Sequence, residues 1–381
     1  MTKSPPAKRH RSAISPAFKT PATAASTSPN TPKTTERHYA VIGAGIAGIA
    51  AARTLVQAGH QVKVFEQGAE VGGRMAVHST SHGSFDSGAQ YFTVRDPRFE
   101  QVLALNPKLC RPWSATTIRV LDSAGRVATA VPPPRESHWV ATPHMQSLPA
   151  ALAKPLIDAG RVLTQCRVTA LERDRLDPTR WQLQTENSLD STEQTVHAGF
   201  DTVLLALPAP MARALLEPTG LADLHCQTLS EIDIAPCWTL HLTFAQAQQP
   251  GLTTLGPHWN AARSTHHRIA WLARESSKPG RTSTERWTVQ ASPAWSQEHR
   301  NDDGPRIQAK LQKAFAEITG IYATPSHVSS RFWPHAQTVS TLGHPFLWND
   351  KTNLGVCGDW CLGARVEDAF VSGLELALKV A

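Results

Sequence analysis

The 381-residue chain predicts an α/β fold: a parallel sheet covered on both faces, interleaved with an α+β region whose sheet is mixed or antiparallel. Three observations predict it. A glycine-rich turn joins two β-rich runs near residue 43, a second strand–turn pattern leads into a helix at the C-terminus, and tryptophan-bearing runs of period two fill the middle.

Residues 1–37 read as a disordered basic tail. They hold seven Lys and Arg against Glu36, and are rich in Pro, Ser and Thr with little to bury. That net of +6 nearly exhausts the +7 of the whole chain, so the remainder is close to neutral and implies no nucleic-acid face. The AKRHR cluster is a solvated leader or a contact for an anionic surface; scarce acid with Arg and Ser also resembles a transit peptide. Six unevenly spaced cysteines do not form a disulfide framework, and Cys357 and Cys361 lack metal-knuckle spacing. Reduced thiols, no metal and a cytoplasmic location are the expectation.

HYAVIGAGIAGIAAARTLVQAGHQVKVFEQ (38–67) predicts strand, turn, helix (Ile49 to Gln57) and strand. A membrane span is excluded, because Arg53 and the glycines cut the apolar run below the roughly 20 residues required. Gly43 permits the tight turn, Gly45 lets backbone N–H groups approach a pyrophosphate, with Ile46 and Ala47 between, and Gly48 allows close helix–strand packing. Glu66 ends the second strand, eighteen residues beyond Gly48, where a carboxylate accepts from ribose hydroxyls, with Gln67 beside it. The whole unit reads as a Rossmann-type dinucleotide site. Gly72, Gly73 and Arg74 complete E-x5-GGR, which suits a long ligand neutralised from both sides.

WVATPHMQSLPAALAKPLIDAG (139–160) reads as a turn and helix, RVLTQCRVTALERD and RWQLQT as a β-meander, and VLLALP as a parallel, doubly covered strand followed by a helix. Runs such as WTLHLTF and RWTVQAS predict an antiparallel sheet with one face toward a cavity; Trp238, Trp271, Trp287 and Trp295 line it or simply form the core. NLGVCGD then reads as a buried strand, and Arg365 to Val380 as a helix. Asp359 is either a bond to a polyol chain or a cap. The helix start at Arg365 and Val366 would aim its positive end at a ring gaining negative charge, as a reduced flavin does.

VIGAGIAG with E-x5-GGR at one end, and GD-x5-R-V-E-x-A-x3-SG at the other, resembles the FAD-dependent amine oxidase superfamily. FDSGAQYFTVRDPRF (85–99), SSKPGR (276–281), RFWPHAQ (331–337) and CGDWCLGARVEDAF (357–370) resemble its renalase-like branch. The resemblance spans residues 38–381. It implies a glutathione-reductase-like FAD-binding domain (38–95, 139–210 and 335–381) interleaved with a substrate domain (96–138 and 211–334). It also places Gly88, Ala89, Gln90 and Tyr91 beside non-covalent FAD, with Gln90, Tyr91 and His335 as the substrate pocket. Pro334 departs from the branch pattern, and a satisfied core histidine is the other reading of His335. Asp86 is expected to organise the turn, and Lys278 is the candidate for a lysine that holds water at the flavin. The implied partners are a small-molecule substrate and molecular oxygen. Isomeric dihydronicotinamide dinucleotides would give hydride and hydrogen peroxide would form; an amine oxidase, or a flavin-binding protein without turnover, are the alternatives.

Overall fold

The computed structural model describes residues 36–113, 118–128, 136–190, 193–248 and 259–381. Of the tail expected at residues 1–37, residues 1–35 lie outside the described residues.

A six-stranded sheet runs in the order Leu347–Asn349, Leu354–Val356, Thr202–Leu205, His38–Ile42, Gln61–Phe65 and Val162–Leu163. Neighbours pair in parallel except the edge strand Leu347–Asn349. Thr202–Leu205 and Leu354–Val356 are wholly buried, which is why both read as unbroken apolar runs. This strand order sets the C-terminal strand only two places from the first. The C-terminal helix Val366–Val380 packs on the opening helix, so the two ends of the chain build one face together.

The opening helix spans Ile46–Gln57, beginning three residues earlier than the sequence suggested. Gly48 therefore sits in its first turn despite a helix propensity roughly 1 kcal/mol below alanine's. Packing decides the residue: a Cβ on Gly48 would lie 1.9 Å from the Gly43 carbonyl oxygen, so any side chain would force the turn away from the helix.

A second six-stranded sheet runs His327–Thr338, Ile234–Phe244, Glu285–Ala291, Ile269–Arg274, Ala261–Ser264 and Ile118–Leu121. It is antiparallel except for the last pair, and hence mixed. Trp238, Trp287 and Trp295 pack with Phe315 from helix Gly304–Thr319 into a core on one of its faces. Trp271 belongs to a different cluster, the one around the opening helix. The meander forms its own antiparallel sheet of Cys166–Arg173, Trp181–Asn187 and Gln194–Phe200. Residues 139 and 335, where the sequence reading set domain boundaries, fall inside the strands His138–Ala141 and His327–Thr338.

Candidate active site and cofactor cavity

A cavity of about 1560 Å³ opens along the C-terminal ends of the parallel strands and continues to the mixed sheet. That exceeds the usual range for a single small ligand and leaves room for a cofactor with a substrate beside it. Gly43, Gly45, Ile46, Ala47, Glu66, Gln67, Gly73 and Arg74 line it from the N-terminal motif. Gly88, Ala89, Gln90 and Tyr91 line it from the GAQYF turn, and His335, Asp359, Arg365 and Val366 from the C-terminal part. Gly48 alone among the residues predicted to bind the cofactor is absent from the wall, because it faces Gly43 instead.

Gly45 caps the opening helix with extended backbone (φ −70°, ψ 175°) and no side-chain bond, which leaves the first-turn N–H groups turned toward the cavity. A Cβ at Gly45 would meet nothing within 4 Å, so the glycine keeps that wall bare. Glu66 braces the loop. Its Oε2 accepts from Ala44 N–H at 2.8 Å and its Oε1 from Gly68 N–H at 2.7 Å. A carboxylate has about four acceptor sites, so a ribose hydroxyl can still be accepted.

The two end motifs meet directly. Arg74 grips Asp359 through both guanidinium nitrogens, with Nη1–Oδ2 at 3.0 Å, and Thr338 Oγ1 donates to the same Oδ2 at 2.9 Å. Arg74, expected to neutralise a pyrophosphate, and Asp359, expected as a polyol contact or a cap, are thus also partners of each other.

Beneath the GAQYF turn lies a buried ionic cluster. Lys278 Nζ donates to Asp86 Oδ2 (2.9 Å), Glu275 Oε1 (2.9 Å) and Gln90 Oε1 (3.2 Å). Arg281 Nη2 reaches Asp86 Oδ2 at 2.6 Å, and Met145 N–H donates to Asp86 Oδ1 at 2.7 Å. Burial alone would raise the Asp86 pKa, but Lys278 and Arg281 together hold it below the usual carboxylate range. Burial raises Glu275, against the pull of Lys278. Asp86 thus ties its turn to two other segments rather than bonding within the turn. All three Lys278 donors are used, and the side chain is fully buried outside the cavity wall, so the water-holding expectation does not match this geometry.

Gln90 is held at both ends of its amide, since Nε2 also donates to the Asp86 and Gly88 carbonyls. Gly88 is needed for packing more than for approach to a ring. A Cβ there would lie 2.0 Å from the Arg74 carbonyl oxygen and 3.5 Å from the Trp333 ring.

The far end of the cavity is aromatic. Tyr91 meets His138 edge-on at 4.2 Å and Trp271 at 5.6 Å between centroids, and Trp333 Nε1 donates to Ser87 O at 3.1 Å. Burial lowers the pKa of His335, as do the Arg74 and Arg300 charges, which keeps the ring neutral near pH 7. Sequence reasoning missed His138, Arg263, Gln290, Arg331 and Trp333, all in the wall, whereas Trp271, read as cavity lining or core, does line it. Arg331 and Trp333 sit in the quoted RFWPHAQ, where period-two alternation with His335 was the available signal. Arg263, Trp271 and Gln290 come from three different strands and share no motif.

Residues 41–104 match the description NAD(P)-binding Rossmann-like domain, and residues 130–381 match Flavin containing amine oxidoreductase. The second match covers well over half of the chain. The chain belongs to the flavin-containing amine oxidoreductases. The bare glycine wall and the open helix start fit the flavin that the family's description names. Among relatives, 4,4'-diapophytoene desaturase of Staphylococcus haemolyticus is 38% identical over 78 residues, 18% of this chain and 16% of that one. The putative flavin-containing monoamine oxidase AofH of Mycobacterium tuberculosis is 41% identical over 76 residues, 20% of this chain and 16% of its own. The chain thus spans less than a fifth of these relatives' lengths. A putative protoporphyrinogen oxidase from Exiguobacterium sp. 255-15 superposes with TM-score 0.67 at 13% identity, over 91% of this chain and 99% of its own. A redesigned putrescine oxidase gives 0.68 at 11% identity, over 91% and 98%. Both likenesses are of fold. No described helix is long and apolar enough to cross a membrane.

Proposed function

We propose that this family member is a renalase-like oxidase that takes hydride from isomeric dihydronicotinamide dinucleotides, returns the oxidised pyridinium, and reduces dioxygen to hydrogen peroxide. The balance is dihydropyridine, dioxygen and one proton giving pyridinium and hydrogen peroxide. FAD, bound non-covalently, would supply the redox chemistry between the dihydropyridine and dioxygen. The residues of the proposed site are those of the two end motifs for FAD, and Gln90, Tyr91 and His335 with Trp271 and Trp333 for the substrate ring. In this reading residues 38–95, 139–210 and 335–381 serve FAD, and 96–138 and 211–334 serve the substrate.

One observation carries the reading: among the described residues, the aromatic end of the cavity holds no uncommitted carboxylate or amine. Lys278 is spent on three acceptors, and burial with the Arg74 and Arg300 charges lowers the proton affinity of His335. A dihydropyridine needs no proton removed before hydride leaves, so flat walls that orient a ring are sufficient. Tyr91, Trp271 and Trp333 supply them. Bracing of Gln90 by Lys278 and two carbonyls keeps that wall fixed. The six free cysteines, three of them buried, accord with a reducing, cytoplasmic setting. Amine oxidation is the second reading, supported by the likeness to AofH. Anaerobic mixing with an amine, ordinary NADH and isomerised dihydronicotinamides tests it. Rapid flavin bleaching by the isomers is expected; bleaching by the amine alone refutes the proposal, and bleaching by none points to binding without turnover.

A further inference from the structure

Every carboxylate in the cavity wall already has partners. Asp359 is held by Arg74, Glu136 by Arg95 at 2.6 Å, Glu66 by two backbone N–H groups, and Glu70 by Gln146 Nε2 at 2.7 Å. Three guanidiniums in the same wall, those of Arg263, Arg331 and Arg365, have no carboxylate partner within ion-pair distance among the described residues, and the first two stand at its aromatic end. Arg263 has Tyr91 OH at 3.4 Å, a long contact, and Arg331 lies over the Trp333 ring at 3.9 Å from its centroid. Their strands, Ala261–Ser264 and His327–Thr338, stand four places apart in the mixed sheet, roughly 19 Å at the usual spacing. Trp271 and Gln290 project from strands between them, so the two cations flank the aromatic wall from opposite ends.

Both guanidiniums are exposed to solvent, so an anion can reach them without displacing a protein carboxylate. The planar fork of donors matches carboxylate and phosphate oxygens, and the same charges repel an ammonium group.

We propose that Arg263 and Arg331 are specificity-determining residues that select a planar substrate bearing carboxylate or phosphate groups away from its reacting ring, and that exclude cationic amines. The inference rests on the reading that the ring docks beside Gln90 and Tyr91, but not on any particular chemistry there.

The test uses unreactive probes on the FAD-loaded protein, read by perturbation of the visible flavin spectrum: benzoate, phenyl phosphate, uncharged benzamide and benzylamine. Benzoate or phenyl phosphate should bind at least about tenfold more tightly than benzamide, and benzylamine more weakly; the stronger of the two anions identifies the anionic group selected. In R263Q/R331Q the ratio of anion to benzamide affinity should collapse to about one while FAD content is retained. Each single variant assigns the share of its arginine, and R331K should restore only part of the preference, since charge returns without the fork. Equal affinity for anions and benzamide, tighter benzylamine, no anion response at millimolar concentration, or full preference in the double variant would each overturn the inference. Anion preference with no dihydropyridine turnover would refute the proposed reaction and leave this selectivity standing.

Discussion

Replacing Glu66 by Gln is the most informative single change at the cofactor end. From sequence, an amide looks tolerable, because its oxygen still accepts a ribose hydroxyl. The structure sets a backbone N–H against each carboxylate oxygen, Ala44 at 2.8 Å and Gly68 at 2.7 Å. Gln can satisfy one of them, and the buried Ala44 N–H has the stronger claim; the amide NH2 then faces Gly68 N–H, donor against donor. Losing one charge-assisted bond costs about 1.5–3 kcal/mol. For a domain of this size that is roughly 3–6 °C in the unfolding midpoint of the apoprotein. Glu66→Ala strands both donors and should cost about twice as much. FAD affinity should fall roughly ten- to hundredfold in the Gln variant, because the ordered loop and the ribose acceptor are both compromised. Thermal unfolding of apoprotein and fluorescence titration with FAD measure the two parts separately. Unchanged midpoints in both variants would show that Glu66 does not brace the loop; unchanged FAD affinity would remove it from the ribose.

Four further outcomes are expected. Lys278→Met should destabilise the fold by about 3–5 kcal/mol in urea unfolding, because it strands Glu275 and half of the Asp86 charge in the core; a variant of normal stability that is merely inactive would argue for a catalytic lysine. Gly88→Ala must displace the Arg74 backbone, since its Cβ would lie 2.0 Å from that carbonyl, and FAD retention through gel filtration should drop at least about tenfold; full retention would contradict the packing. Tyr91→Ala and His335→Ala should slow anaerobic flavin reduction about a hundredfold with little loss of FAD, and unchanged stopped-flow rates in both would move the substrate elsewhere. His241, buried beside His78 at 4.8 Å, is pushed by burial down to about 3, well below its ordinary 6.5. It therefore gives stability above pH 6.5 that is lost as pH falls toward 3, about 2 kcal/mol of it between pH 7 and 5. His241→Phe should remove that share of acid sensitivity, and urea curves at the two pH values would expose an equal loss in both proteins.

Local signals in the chain determined the cofactor half of this protein. The turn at Gly43–Gly48, the carboxylate ending the second strand, the apolar runs of Thr202–Leu205 and Leu354–Val356, and the closing helix each arise from interactions among near neighbours or from a fixed strand period. Such features leave a readable pattern because a few adjacent residues satisfy the physics. The meander and the helix Ser147–Asp158 were legible for the same reason.

Tertiary structure alone decided how those pieces are held and what faces the substrate. Asp86 and Lys278 are 192 positions apart, Arg74 and Asp359 285 apart, and neither pairing leaves a local spacing to detect. Lys278 was visible as a charged loop residue, yet its role depends on Asp86, Glu275 and Gln90 consuming its three donors. Trp271 and Trp287 carry the same side chain in similar alternating runs; strand order and register send one to the cavity and the other to the core. Nothing in the sequence joins Arg263 with Arg331. Their lack of carboxylate partners depends on where every acid in the fold lies, and that is settled only when the chain has packed.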